Sequence, residues 1–476
     1  MEIADYDSSI AAWAEHTFGR AELNDKRIRR RLVAMTAAIA RSPAGSVTRV
    51  FTTNADREAA YRFVENKHVD PQAISRAARM AVVERCANEP FVFVAIDGSS
   101  VKLADHFGMK DYGSIGTRKV GARGLKVTAG LAISSDGVPI GLTSFEMWPR
   151  GKKSTVHRDK RLLAEKETRY VAQADIAMAN AFAEQQSSCR PWMLVDREQD
   201  ATQLLVAFSS IEQWYTVRAK ANRLIKTNGR QPQRVSDALA QESAYQGTYQ
   251  LSIPAGHKRT ARKATMSVRA AQVTLMLRDK LTARVREFDV HVVQVRESSR
   301  VPAGEKRVEW LLYTNYPVKS DEDLSLVIFG YAQRWRIEDF FRAWKTTGCN
   351  VEATQLHSTH SVQIWGTMLA VVAARIERLK HFARNEPYRP ATIEFSKDEI
   401  EAIVLLKSER KTKTEKITDG IPTIEEAVRW VAEFGGYTGK SSGGPPGSVT
   451  IRRGLEILWH YVEAFKIAKK QAIRKM

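Results

Sequence analysis

Residues 331 to 345, YAQRWRIEDFFRAWK, concentrate a phenol, guanidinium groups, a carboxylate and an ammonium in one short stretch. If the stretch is a single helix with Tyr331 set at zero, Arg334 falls at about 300°, Glu338 at about 340° and Lys345 at about 320°. These four side chains then share one stripe, while Ile337, Phe340, Phe341 and Trp344 take the side that faces a core. The plain alternative is a surface helix with Arg–Glu pairs four residues apart, each worth about 0.2–0.5 kcal/mol. Two more acids matter. Asp97 in FVFVAID and Asp196 in WMLVD each end a short apolar run, where a β-strand delivers its last side chain to the rim of a sheet. Alone, these two read equally well as caps or turn formers.

Together with Glu338 they suggest more. Three clustered carboxylates repel one another unless a cation compensates them, and Mg²⁺ suits all-oxygen donors that leave room for water and phosphate. Two such ions can activate a water or hydroxyl and stabilise the departing oxygen of an in-line phosphoryl displacement. The neighbouring cations suit the flanking phosphates, Arg gripping them bidentately and Lys acting as a point charge.

The elements that must position these residues can be read along the chain. Residues 1 to 70 read as helical. Asp25 can cap a helix through KRIRRRLVAMTAAIA, with Ile28, Leu32, Met35 and Ile39 on its apolar face. Lys26, Arg27, Arg29, Arg30 and Arg31 crowd the first turns of that helix, its positive end, where an anionic partner would relieve a cost. A solvated basic face is the alternative. From residue 90, FVFVAID, GLKVTAGLAIS and PIGLTSFEMW read as strands, the last two joined by a turn at 134–137. A helix over 160–187, the strand WMLVD, a helix over 199–209 and the strand WYTVRAK follow. This predicts an α/β fold, a mixed sheet covered by helices. Residues 221–320 read as an inserted β-subdomain, with HKRTARKA (257–264) on one of its loops. Helices return after 331, interrupted by the charged linker SERKTKTEK (408–416) and the loop SSGGPPGS (441–448), and no internal repeat is visible.

Bulk properties agree with a nucleic-acid partner. Lys and Arg number 74 against 54 Asp and Glu, a formal net charge of +20. Cys86, Cys189 and Cys349 are isolated, which argues against a disulfide framework and a structural zinc site and fits a reducing cytosol. The first residues lack a signal-peptide pattern, and no apolar run approaches membrane-spanning length, so no membrane partner is expected.

Asp97, Asp196 within VDREQD, and the pattern Tyr331-x2-Arg334-x3-Glu338-x6-Lys345 resemble the DDE triad and YREK signature of bacterial cut-and-paste transposases of the insertion-sequence-four group, nearest to the transposon five branch. WAEHTFGRAELNDKR, AAYRFVEN, RWRIEDFFRAWK and EFGGY have counterparts in the same order, so the resemblance covers nearly the whole chain. It implies an RNase H-like catalytic core over 71–380, with the β-rich insertion inside it. A helical DNA-binding domain over 1–70 and a helical dimerisation domain over 381–476 would flank that core. It further implies Asp97, Asp196 and Glu338 as ligands of two Mg²⁺ ions, with Mn²⁺ able to substitute. The implied chemistry is a nick, a hairpin, hairpin opening and strand transfer. Tyr331, Arg334, Lys345 and Arg218 would contact phosphates, Trp310 would stack on a flipped base, and Arg62, beside Arg27 and Arg30, would contact DNA. The implied partners are double-stranded transposon ends and target DNA, bound by a homodimer in a synaptic complex in the cytoplasm at the nucleoid.

Two other readings remain open: a non-catalytic DNA-binding regulator of transposition, and an RNase H-like nuclease that cuts without joining. GSIGTRKVGARG (113–124), with Arg118, Lys119 and Arg123, lacks the GK[ST] of a phosphate loop and reads as a flexible loop. His357 and His360 read as a solvent-facing pair, and Trp148 as packing.

Overall fold

The computed structural model describes residues 9–474 apart from 106, 117–120, 152–155, 157–160, 212, 228–230, 242–244, 254, 256–258, 279–282, 412–416, 418–419 and 441–443. Arg118, Lys119, much of the linker at 408–416, the start of the loop at 441–448 and part of the basic segment at 257–264 therefore lie outside the described residues.

Five helices open the chain: α1 (Ile10–Phe18), α2 (Lys26–Arg41), α3 (Val47–Val50), α4 (Asn54–Glu65) and α5 (Pro71–Arg85). Asp25 caps α2 as its sequence position suggests, its carboxylate accepting from the Arg27 N–H at 2.7 Å. Leu32, Met35 and Ile39 are buried, and Arg27 and Arg30 are exposed on the opposite side.

The centre is one mixed sheet of twelve strands. Its first part comprises β1 (Phe91–Lys102), β2 (Gly113–Ser114), β3 (Arg123–Ile133) and β4 (Pro139–Trp148), then β5 (Arg190–Val195) and β6 (Trp214–Arg218). Helix α6 (Arg169–Glu184) connects β4 to β5, and α7 (Thr202–Phe208) connects β5 to β6. β1, β3 and β4 form an antiparallel meander, β5 pairs parallel to β1, and β6 pairs parallel to β5. At the β3–β4 turn, Gly137 takes φ +85°, a left-handed conformation that costs glycine nothing.

The insertion is β-rich as expected, and its strands join the same sheet. It contributes β7 (Leu224–Ile225), β8 (Gln233–Arg234), the short helix α8 (Val235–Ala240), β9 (Tyr245–Ile253), β10 (Arg262–Arg278), β11 (Val285–Glu297) and β12 (Glu309–Thr314). β12 pairs antiparallel with β6 through Leu312–Arg218 and Tyr313–Val217, so the core sheet continues into β11, β10 and β9.

The chain closes in helices: α9 (Asp321–Gln333), α10 (Arg336–Arg342), α11 (Thr359–Asn385), α12 (Lys397–Arg410), α13 (Ile424–Phe434) and α14 (Ser448–Arg474). α11 is the hub, packed on β4, α13, α5 and α2, and its Trp365 ring N–H donates to the Gly45 carbonyl at 2.7 Å. Cys86, Cys189 and Cys349 are all buried and free. Among the described residues no helix is long and apolar enough to cross a membrane.

Candidate functional site

YAQRWRIEDFFRAWK is not one helix. α9 ends at Gln333, the Arg334 N–H turns back to the Tyr331 carbonyl three residues earlier, and α10 begins at Arg336. Beyond Arg342 the chain opens into a π-type turn over Ala343–Thr347, which carries Lys345. The apolar side follows the expectation, with Ile337, Phe340, Phe341 and Trp344 all buried. Tyr331 does not share the open face. It is 2 % exposed, and burial pushes its pKa up to about 12 against the pull of the neighbouring Arg334 guanidinium.

Asp97 lies within β1 rather than at its end. The antiparallel ladder to β3 runs on to Lys102, but the pairing with the parallel partner β5 ends at Ala95–Leu194, one residue before β5 itself ends at Val195. Asp97 therefore sits just beyond the end of β5, where the sheet opens. Asp196 follows the last residue of β5 and takes the capping role as well, its Oδ1 accepting from the Arg197 N–H at 2.5 Å.

Arg334 ties the site together. Its guanidinium donates to Asp97 Oδ2 at 3.1 Å and to Glu338 Oε1 at 2.8 Å, and the side chain is only 3 % exposed. Burial works against this charge, but Tyr331, Glu338, Asp97 and Asp196 more than offset it, so its pKa lies above the ordinary value. Burial is also the largest influence on Asp97, pushing it up to about 6 against the pull of Arg334 and the Gly98 N–H, with Asp196 and Glu338 adding repulsion. The three acids thus act on one electrostatic site, and Arg334 supplies the compensating cation.

The remaining candidates divide between that site and the rest of the molecule. Lys345 reaches back to β1, donating to Ser99 Oγ at 2.5 Å, and burial lowers its pKa. Trp310, half-buried on β12, meets Tyr331 edge-on with ring centroids 5.4 Å apart. Arg218 donates to the Glu309 carbonyl at 3.0 Å and acts on the Tyr331 hydroxyl. Arg62, Arg27 and Arg30 belong to the N-terminal helices. Arg62 pairs with Glu58 at the surface.

Some site features escaped the sequence reading. Lys126 on β3 donates to Ser100 Oγ at 3.0 Å, and burial lowers its pKa. The signal was available, because Lys126 is the lone charge in the apolar run GLKVTAGLAI. A cleft of about 1670 Å³ opens from Asp97 and Lys126 past Arg150 and Arg169 towards Lys220 and Arg223. On its wall Trp148 stacks on Tyr170 with centroids 3.6 Å apart, a packing role. His360 is not solvent-facing: its Nε2 lies 3.0 Å from the Asn66 carbonyl oxygen.

All-oxygen donors from Asp97, Asp196 and Glu338 fit a hard divalent cation, and the orphaned Arg334 Nε marks a guanidinium not fully held by its present partners. As they stand, the three acids are spread around that guanidinium. Among the described residues, the group of acids and histidine with ligand atoms all within 4.8 Å of one another is a different one, Asp339, Glu377 and His381.

The strand order β4-β3-β1-β5-β6, an antiparallel meander followed by two parallel strands, is an RNase H-like arrangement. Three family models match the chain: Transposase DNA-binding over residues 10–69, Transposase DDE domain over 174–374, and Transposase Tn5 dimerisation domain over 371–473. The chain belongs to the DDE transposases of the Tn5 type. It binds DNA, carries a DNA-cutting and joining domain of a kind that uses divalent metal, and has a dimerisation domain. The DDE match includes Asp196 and Glu338 and begins beyond Asp97.

Proposed function

We propose that this chain is a cut-and-paste transposase that acts on its inverted-repeat ends by nicking, hairpin formation, hairpin opening and strand transfer. The observation that carries this reading is Arg334 bridging Asp97 and Glu338 at the sheet rim beside Asp196. Asp97, Asp196 and Glu338 would hold two Mg²⁺ ions, replaceable by Mn²⁺, which supply activation of the attacking oxygen and stabilisation of the leaving one.

The chain's own groups do the rest. Arg334 keeps the acids compensated until DNA arrives and can then pass its planar donors to a phosphate. Lys345 and Lys126, half-buried and held by Ser99 and Ser100, present ammonium charges along β1 towards the same phosphates. Arg218 would complete the phosphate contacts, Trp310 would take a flipped base on its ring face, and Tyr331, buried against that ring, would support it from behind in place of the phosphate contact expected of it. Arg62, Arg27 and Arg30 would grip end DNA from the N-terminal helices. The division into residues 1–70, 71–380 and 381–476, the synaptic homodimer and a cytoplasmic site at the nucleoid belong to the same proposal.

The test is cleavage of a plasmid carrying the DNA that flanks the gene, comparing the intact protein with Glu338→Ala. Hairpin and joined products that vanish in the variant, with end binding retained, are the expected result. Simple nicks without joining would make the protein a nuclease. Equal end binding without cleavage by either protein, in Mg²⁺ or Mn²⁺, would make it a regulator.

A further inference from the structure

Glu338 rides on α10, a helix of seven residues with no side-chain cap at its start and a π-type turn at its end. So short a helix has no stable position of its own, and tertiary contacts must set it. One side is fixed by Ile337, Phe340 and Phe341 in the core. The other side is fixed by Asp339, the residue next to Glu338.

Asp339 Oδ1 accepts from Arg342 at 3.2 Å, and its Oδ2 lies 3.6 Å from His381 Nε2 and 3.8 Å from Lys380 Nζ. Lys380 also pairs with Glu377, which is 1 % exposed and 3.5 Å from His381 Nε2. Glu377 in turn accepts from Ser448 Oγ at 2.6 Å. The chain of contacts therefore runs from α10 through α11 to Ser448, the first residue of α14, inside the segment matched by the dimerisation model. Asp339, Glu377 and His381 have the spacing of a metal site, but Lys380 and Arg342 already neutralise both acids. An added cation would have no uncompensated charge to meet. Burying so many charges is weak evidence for stability, because apolar side chains of similar volume often serve as well. What such a network supplies is a fixed geometry.

We propose that Asp339 is a positioning residue for Glu338, and that Glu377, Lys380, His381 and Ser448 anchor it to the C-terminal helix. The placement of the third acid of the DDE site is then coupled to the part of the chain that pairs two protomers. The inference rests on the proposed reading of Asp97, Asp196 and Glu338 as metal ligands.

Mn²⁺ titration of the full-length protein, followed by the electron paramagnetic resonance of free Mn²⁺, tests it without requiring activity. Glu338→Ala calibrates the metal site, and Asp339→Asn and Ser448→Ala probe the relay. The expected result is about tenfold weaker Mn²⁺ binding in both relay variants, the size seen when outer groups that orient a metal ligand are removed. Thermal unfolding and retention of end-DNA binding establish that each variant is folded, and Ser448→Ala leaves α10 untouched. Unchanged Mn²⁺ affinity in folded Asp339→Asn overturns the proposal. Loss of one bound Mn²⁺ in Asp339→Asn and Glu377→Gln, but not in Glu338→Ala, also overturns it and makes the network a metal site. If Glu338→Ala binds Mn²⁺ as the intact protein does, the ligand assignment fails, and the relay inference falls with it.

Discussion

A buried acid inside α6 illustrates how far individual residues of this chain depart from their ordinary chemistry. Asp175 is fully buried and pairs with the Gln213 side-chain amide, while Asp175 Oδ2 and Gln213 Oε1 have no partner. Burial pushes its pKa up to about 7, against the opposing Gln213 hydrogen bond. A proton on the carboxyl turns an acceptor without a donor into a donor. The folded-state pKa exceeds the unfolded one, so this contribution to stability is complete below about pH 4. It is lost as pH rises through about 7. Asp175→Asn should therefore melt progressively higher than the intact protein as the buffer moves from pH 5 to pH 8. A melting difference that does not change with pH would sink this account. Nothing in YVAQADIAMANAF marks Asp175 as buried except its place on the apolar stripe, where an acid is out of pattern.

At the scale of elements, the region most legible in the sequence was the sheet, and the least legible was the path of the helix that carries Glu338. Apolar runs announced β1, β3, β4, β5 and β6, because strands buried on both faces need them. The extension of β1 through GSSVK was hidden, since it depends on pairing with β3 and not on its own composition. The insertion was legible as β-rich, but its docking onto β6 is a non-local pairing that no local pattern encodes. The break at Arg334 has neither Pro nor Gly to signal it. It follows α9 packing directly onto β1, where a Cβ on Gly330 would collide with the Phe93 ring. Gly330→Ala should cost about 1–3 kcal/mol through overpacking. Differential scanning calorimetry would show a melting temperature about 1–3 °C lower for a chain of this size, and an unchanged one would mean that Phe93 yields freely. The candidate site was legible in residue types and spacing, but the ion pairing of Arg334 with two acids was not, because it depends on how α9 and β1 meet.

For the molecule as a whole, a net charge of +20, together with the basic first turns of α2 if they meet DNA as proposed, should make DNA binding strongly dependent on salt. The logarithm of affinity should fall by about 0.9 per log unit of salt for each phosphate neutralised. Fluorescence anisotropy over a salt series measures the slope, and a nearly flat line would exclude the basic surfaces as the interface. Charge and helical pattern made this much readable from composition, whereas the joining of the chain's parts was not. The DDE and dimerisation matches overlap at residues 371–374, inside the single 27-residue helix α11. Anyone grafting the C-terminal part onto a related enzyme at that junction would splice through buried turns and mix two mismatched helix faces. A chimera should instead exchange α11 whole, with joints in the exposed segments around residues 357 and 388, so that each half keeps the surface it was built against.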